Sequence, residues 1–151
     1  MTDPLARFNA LVNQFSTVQG YIDQARALAH RFHPSVVERV VSGHNRTISD
    51  LLVDLVPAMA DVEEAVQTLD ADHDAIEAGA AESRLAVEEL DLRHLIGDID
   101  DASLAEQRAP HDERIASVAE QLSGIDGARA AMREALARWE SIGRAAGVLQ
   151  G

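Results

Sequence analysis

The sequence predicts an all-α protein: a long antiparallel coiled-coil hairpin with an N-terminal helix packed at its base, giving a three-helix base and a two-helix tip. Three observations carry this reading. Alanine occurs 26 times while aromatic residues make up only 3%, a composition suited to closely spaced helices and poor for sheets. From Ile48 to His94, apolar or seam-type residues recur in alternating steps of four and three, the heptad period of a coiled-coil seam. After a turn at 97–101 the same spacing resumes through Leu104, Arg108, His111, Ile115, Val118, Leu122, Ile125, Arg129, Met132, Leu136 and Trp139.

The elements follow in order within one domain spanning 1–151. The N-terminal helix, over 1–33, opens at Asp3-Pro4, with Asp3 as N-cap and proline in the tolerated first turn, and continues to about Phe32. Its apolar face is Leu5, Phe8, Val12, Phe15, Ile22 and Ala29, widened by Leu11, Val18 and Leu28. Four of the five aromatics lie in this helix and the fifth is Trp139, so all five are expected to meet at the base. Residues 34–45 read as a short connecting helix and turn: His33-Pro34 ends the first helix, Ser35 and Glu38 have capping-box spacing, and Ser42-Gly43 terminates the connection.

The long acidic arm covers 46–96 and the return arm 102–147. Between them Gly97 can take the left-handed cap and Asp101 can act as N-cap, with Ser103 and Glu106 behind it. Folding the chain about this turn makes facing residue numbers add to about 198, which sets Ile76 opposite Leu122, Val66 opposite Met132 and Met59 opposite Trp139. Ser83, His94, Arg108 and His111 interrupt the apolar seam near the turn, so that end is expected to be the less stable one. Pro57, Pro110 and the Gly124/Gly127 stretch are places where the helices should kink.

Charge narrows the function classes. The net charge is −13 and every one of the 13 basic residues is arginine. Residues 46–101 hold 16 acids against three arginines, and the flanking segments nearly cancel, so the excess resides on one arm. That balance argues against direct nucleic-acid binding, which needs clustered cations. The absence of cysteine excludes disulfides and thiolate chemistry. No basic segment followed by an apolar stretch opens the chain, and no run of about 18 apolar residues occurs; the expected location is the cytoplasm. The first helix carries too few basic groups for a membrane-surface helix.

Chemistry-bearing patterns are sparse. His73 and Glu77 are spaced to share one helix face and could supply two metal ligands; a seam histidine that fixes register is the competing reading. His30, His33 and His44 cluster near a helix end, where capping and dipole interactions also account for them. There is no phosphate-binding glycine loop, nucleophile elbow or Ser/His/Asp spacing. No enzymatic activity and no cofactor are expected.

The turn holds the remaining candidates, Asp98, Asp100 and Asp101. Gly97-Asp98-Ile99-Asp100-Asp101 resembles the Gly-Asp-Leu-Ser-Glu start of the tip motif of Gre-type RNA polymerase factors, and Arg114-Ile115 resembles the Arg-Ile that resumes the second arm of their finger. The resemblance, shared with the finger of DksA-type factors, covers about 20 residues. It implies a transcription regulator whose tip carboxylates, Asp98 and Asp101, approach the polymerase's catalytic magnesium. The expected function is a non-catalytic protein–protein interaction module, an acidic coiled-coil adaptor or scaffold, homodimeric and meeting a protein partner with a basic surface; the transcription regulator is the alternative. A helical metal-binding protein using His73 and Glu77 is the third alternative.

Overall fold

Asp3 accepts a hydrogen bond from the Leu5 amide at 3.1 Å and Pro4 occupies the first helical position. The first helix, α1 (Pro4–Ala27), therefore starts where local chemistry places it. The computed structural model describes residues 3–149. These residues form α1, a 3-10 turn at Ala29–Arg31, α2 (Pro34–Leu95) and α3 (Asp101–Ala145), with no strand. The fold class is all-α, and α2 and α3 form a helical hairpin. Among the described residues no helix is long and apolar enough to cross a membrane.

Two boundaries differ from the sequence reading. α1 stops at Ala27 rather than near Phe32, because the chain tightens into the 3-10 turn, in which the Arg31 and Phe32 amides donate to the Leu28 and Ala29 carbonyls. Such i+3 bonds satisfy the carbonyls that an ending helix leaves open. The expected connecting helix at 34–45 is not a separate element, since α2 runs unbroken through Ser42-Gly43. A glycine inside a helix costs about 1 kcal/mol, and the half-buried Val41 and buried Ile48 on either side of it hold the helix to the core.

The cap of α2 also moves. His33, not Ser35, takes the N-terminal position: its Nδ1 accepts from the Ser35 amide at 3.1 Å, with Pro34 next in the chain. Pro57 and Pro110 sit inside continuous helices. Pro57 and Val53 are both exposed, so the carbonyl that loses its amide partner faces water. Gly97 and Gly147 adopt φ of 82° and 78°. At each, the two amides that follow the helix fold back on it: Gly97 to the His94 carbonyl and Asp98 to that of Arg93, Gly147 to Arg144 and Val148 to Gly143. This six-to-one closure requires a left-handed residue, which glycine adopts without a steric penalty.

The sequence reads as one domain, and the contacts within the folded chain gather in two units. The first comprises the chain up to Val66 together with that from Ala131 onward. Its core joins Phe8, Val12, Phe15 and Ile22 of α1 to Ile48, Leu51, Leu55, Ala58 and Val62 of α2 and to Ala135 and Trp139 of α3. Phe15 meets Trp139 edge to face with ring centroids 4.9 Å apart, an arrangement that the ring quadrupoles favour. Two of the five aromatics do not join them: Tyr21 is 53% and Phe32 56% exposed. Tyr21 instead packs against the His44 ring at 5.5 Å, and Phe32 lies beyond the end of α1, where the helix no longer directs it inward. Leu149 folds back so closely on Gly143 that a Cβ there would fall 2.4 Å from its Cδ1.

The second unit, residues 67–130, is the turn end of the α2–α3 hairpin. The register is as the seam predicts: Asp70 with Arg129, His73 with Asp126 and Asp91 with Arg108 all pair at residue numbers adding to 199. Every seam position on both arms of this unit is buried or half-buried. Only Ala80, Ser83, Leu90 and Val118 are fully buried. Two helices without a third can enclose small side chains at the contact line but leave one flank of most large ones wet.

Phe15→Ala or Trp139→Ala should therefore lower unfolding free energy by about 3–5 kcal/mol. Ile76→Ala, at a half-buried seam position, should cost about half as much or less. Urea titrations of the three variants measure the difference, and equal losses would contradict the assignment of the core to the three-helix unit.

Candidate functional site

At the hairpin turn the last residues of α2 bring Arg93 and His94 next to the acids that follow Gly97. Each of the three candidate carboxylates has a different partner. Asp98 Oδ2 accepts from Arg93 Nη1 at 2.9 Å, and Glu89 lies 3.5 Å from the same guanidinium. The hydrogen bond to Asp98, with the charge of Glu89 behind it, pushes the Arg93 pKa above its usual value. Asp101 accepts from His94 Nε2 at 2.5 Å.

Asp100 is the N-cap of α3: its Oδ1 accepts from the Ser103 amide at 2.8 Å, and its carbonyl accepts from the Leu104 amide. The sequence assigns that role to Asp101, one residue later. A capping side chain must lie just outside the helical dihedrals, and Asp101 is already the first helical residue. Asp98, Asp100 and Asp101 are thus gathered on one short turn, with their carboxylates engaged by the turn itself.

The same end of the hairpin exposes large apolar side chains that the seam pattern did not single out. Leu85 and Leu92 are 66% and 59% exposed, Leu95 and Ile96 81% and 70%. Their signal was present: they are large apolar residues outside the alternating four-three positions, where a coiled coil expects polar ones. Ile99, inside the turn, is half-buried.

Two polar seam residues, Arg108 and Arg129, carry ion pairs across the hairpin. Arg108 donates to Asp91 at 2.9 Å across the hairpin and contacts Asp112 at 3.1 Å on its own helix. Arg129 bridges Asp70 at 2.8 Å and Asp126, and the hydrogen bonds to these carboxylates, Asp70 first, raise its pKa. Its Nε is buried and has no hydrogen-bond partner among the described residues. Arg114 lies across Gly79, close enough that a Cβ there would come within 2.8 Å of Nη2. The neighbouring Ile115 is half-buried in the seam.

The metal candidates are drawn into other contacts. His73 Nε2 lies 4.0 Å from Asp126 and its Nδ1 3.5 Å from Asp74, while Glu77 accepts from Arg84 at 2.8 Å. His33 caps α2 and His44 faces Tyr21. Among the described residues, no three histidine, aspartate or glutamate side chains are grouped to hold a metal ion.

No family model, no curated protein and no solved structure matches this chain.

Asp70→Asn and Arg129→Met should be strongly non-additive, because each removes the same cross-helix pair. A double-mutant cycle read by thermal unfolding should return a favourable coupling that shrinks as salt is raised to about 1 M. Additive effects would show that the pair adds nothing to the hairpin.

Proposed function

We propose that the chain is a non-catalytic protein–protein interaction module, an acidic coiled-coil adaptor or scaffold that acts in the cytoplasm through its hairpin turn. The observation that carries this reading is the exposure of Leu92, Leu95 and Ile96 beside Asp98, Asp100 and Asp101. Isolated apolar residues on a surface mean little, but several together, bordered by charge, mark contact surfaces. A partner that covered them would gain about 25 cal/mol for each Å² of apolar surface removed from water. The carboxylates would orient it and select for a basic rim.

The engagement of Asp98 by Arg93 and of Asp101 by His94 favours this division of labour over the magnesium-directed role suggested by the Gre-type resemblance. A carboxylate that is to bind a metal ion must first give up its internal donor. The apolar residues give up no such partner.

Affinity capture from the native lysate tests the reading, with bound proteins identified by mass spectrometry. Three proteins are compared: wild type, Leu92→Ser/Ile96→Ser, and Asp98→Asn/Asp101→Asn, which leaves the Asp100 cap in place. The expected result is a protein partner lost with the leucine–isoleucine variant and weakened several-fold with the asparagine variant. RNA polymerase subunits retained by the first variant and lost with the second would replace the adaptor with the transcription regulator. A partner set unchanged by either variant would remove the turn from the interaction.

A further inference from the structure

Where α1 gives way to α2, apolar side chains accumulate outside the core. Ala25, Leu28, Phe32, Val36, Val37 and Val40 line a shallow cavity of about 190 Å³. Leu28, Phe32, Val36 and Val40 are each between 41 and 56% exposed. Around this elbow the charge is opposite to that of the rest of the protein. Residues 24–46 carry Arg26, Arg31, Arg39 and Arg46 against the single carboxylate of Glu38. All four arginines are exposed, and none forms an ion pair among the described residues, whereas Arg84, Arg93, Arg108, Arg129 and Arg144 all do.

A ligand for this surface has to satisfy two conditions together. It must fill an apolar cavity, and it must present carboxylates to the exposed arginines of the same chain segment. The hairpin turn meets both. Leu92, Leu95 and Ile96 project from it, and residues 81–106 hold eight acids against two arginines.

We infer that the acidic turn of one copy docks on the arginine-bearing elbow of a second copy. Leu92, Leu95 and Ile96 cover Phe32, Val36 and Val40, and the carboxylates of the turn face Arg26, Arg31 and Arg39. Two different surfaces meet, so the contact is heterologous: each copy offers one donor turn and one acceptor elbow. Patches of this size bury about 1,000 Å² or less in total, the class of weak, exchangeable interfaces. The inference rests on the reading of the chain as an interaction module and names one of its partners, a second copy of itself.

Sedimentation of the full chain between about 1 and 200 μM, a range that brackets micromolar dissociation constants, tests it. Wild type should gain mass with concentration. Phe32→Asp at the elbow and Leu92→Ser/Leu95→Ser/Ile96→Ser at the turn should each remain monomeric, with helical circular dichroism unchanged because the altered positions are exposed. Arg31→Glu/Arg39→Glu, which leaves the apolar cavity intact, serves as a second elbow variant and should also be monomeric.

The deciding sample is an equimolar mixture of an elbow variant and the turn variant. One intact elbow and one intact turn remain, so a complex of two copies and no larger should form. It should weaken as salt rises from about 50 to 500 mM, because its charges are rim charges. A monomeric wild type, association of either variant alone, or a monomeric mixture overturns the inference. Flotation with phosphatidylserine vesicles is run in parallel: binding by wild type that Phe32→Asp abolishes and the turn variant retains, with no self-association, would assign the elbow to an anionic lipid surface instead. Turn-dependent capture of another protein, if self-association were absent, would defeat this inference and leave the interaction-module reading standing.

Discussion

A helix with an apolar stripe must have that stripe covered, and the number of helices available to cover it governs the rest of this structure. Where α1 supplies a third helix, residues as large as Phe8, Phe15, Leu55 and Trp139 are removed from water almost completely. Where only α2 and α3 meet, burial is reached by Ala80, Ser83, Leu90 and Val118, while Ile76, Val87, Ile115 and Leu122 keep a wet flank. Apolar burial is the main favourable term in folding, so the two units differ in what holds them. One has a core of interlocking aromatic and aliphatic side chains. The other has a register.

The register of the hairpin is specified in part by polar groups. Arg129 with Asp70, Arg108 with Asp91 and His73 with Asp126 meet at a common offset across the two helices. A one-residue slip would separate all three pairs, and a slip in either direction would carry Ala80 and Ser83 away from the contact line. Isolated surface ion pairs add little stability. Several pairs sharing one offset discriminate against misaligned hairpins, the best-attested use of polar residues in coiled-coil seams. The polar seam positions that weaken packing thereby define alignment.

Charge has been sorted along the chain in a way that the total of −13 conceals. The acids of α2 are partly answered by arginines of α3, as with Arg108 and Arg129, while the elbow retains arginines that meet no carboxylate among the described residues. Two groups of exposed apolar residues follow the same division, one among the acids of the turn and one in the arginine-bearing elbow, while Val53 and Val56 belong to neither. Neither group belongs to the buried core cluster, and each lies at or beside one end of α2.

The sequence by itself determined the fold class, the seam residues of both arms, the pairing offset, the Asp3 cap and the left-handed Gly97. Each of these depends on spacing along one chain or on the local chemistry of one residue. Tertiary structure decided the rest. Gly43 reads as a stop, but packing of Val41 and Ile48 into the three-helix core carries the helix through it. Asp100 and Asp101 are equally good caps on paper, and where the first helical dihedral falls selected Asp100. Tyr21 and Phe32 are as apolar in sequence as Phe8 and Phe15, yet only the direction in which each leaves the backbone put the latter pair inside. The carboxylates of the turn were legible as a cluster, but their engagement by Arg93 and His94 depends on how the last turn of α2 closes, a three-dimensional fact that no spacing rule contains.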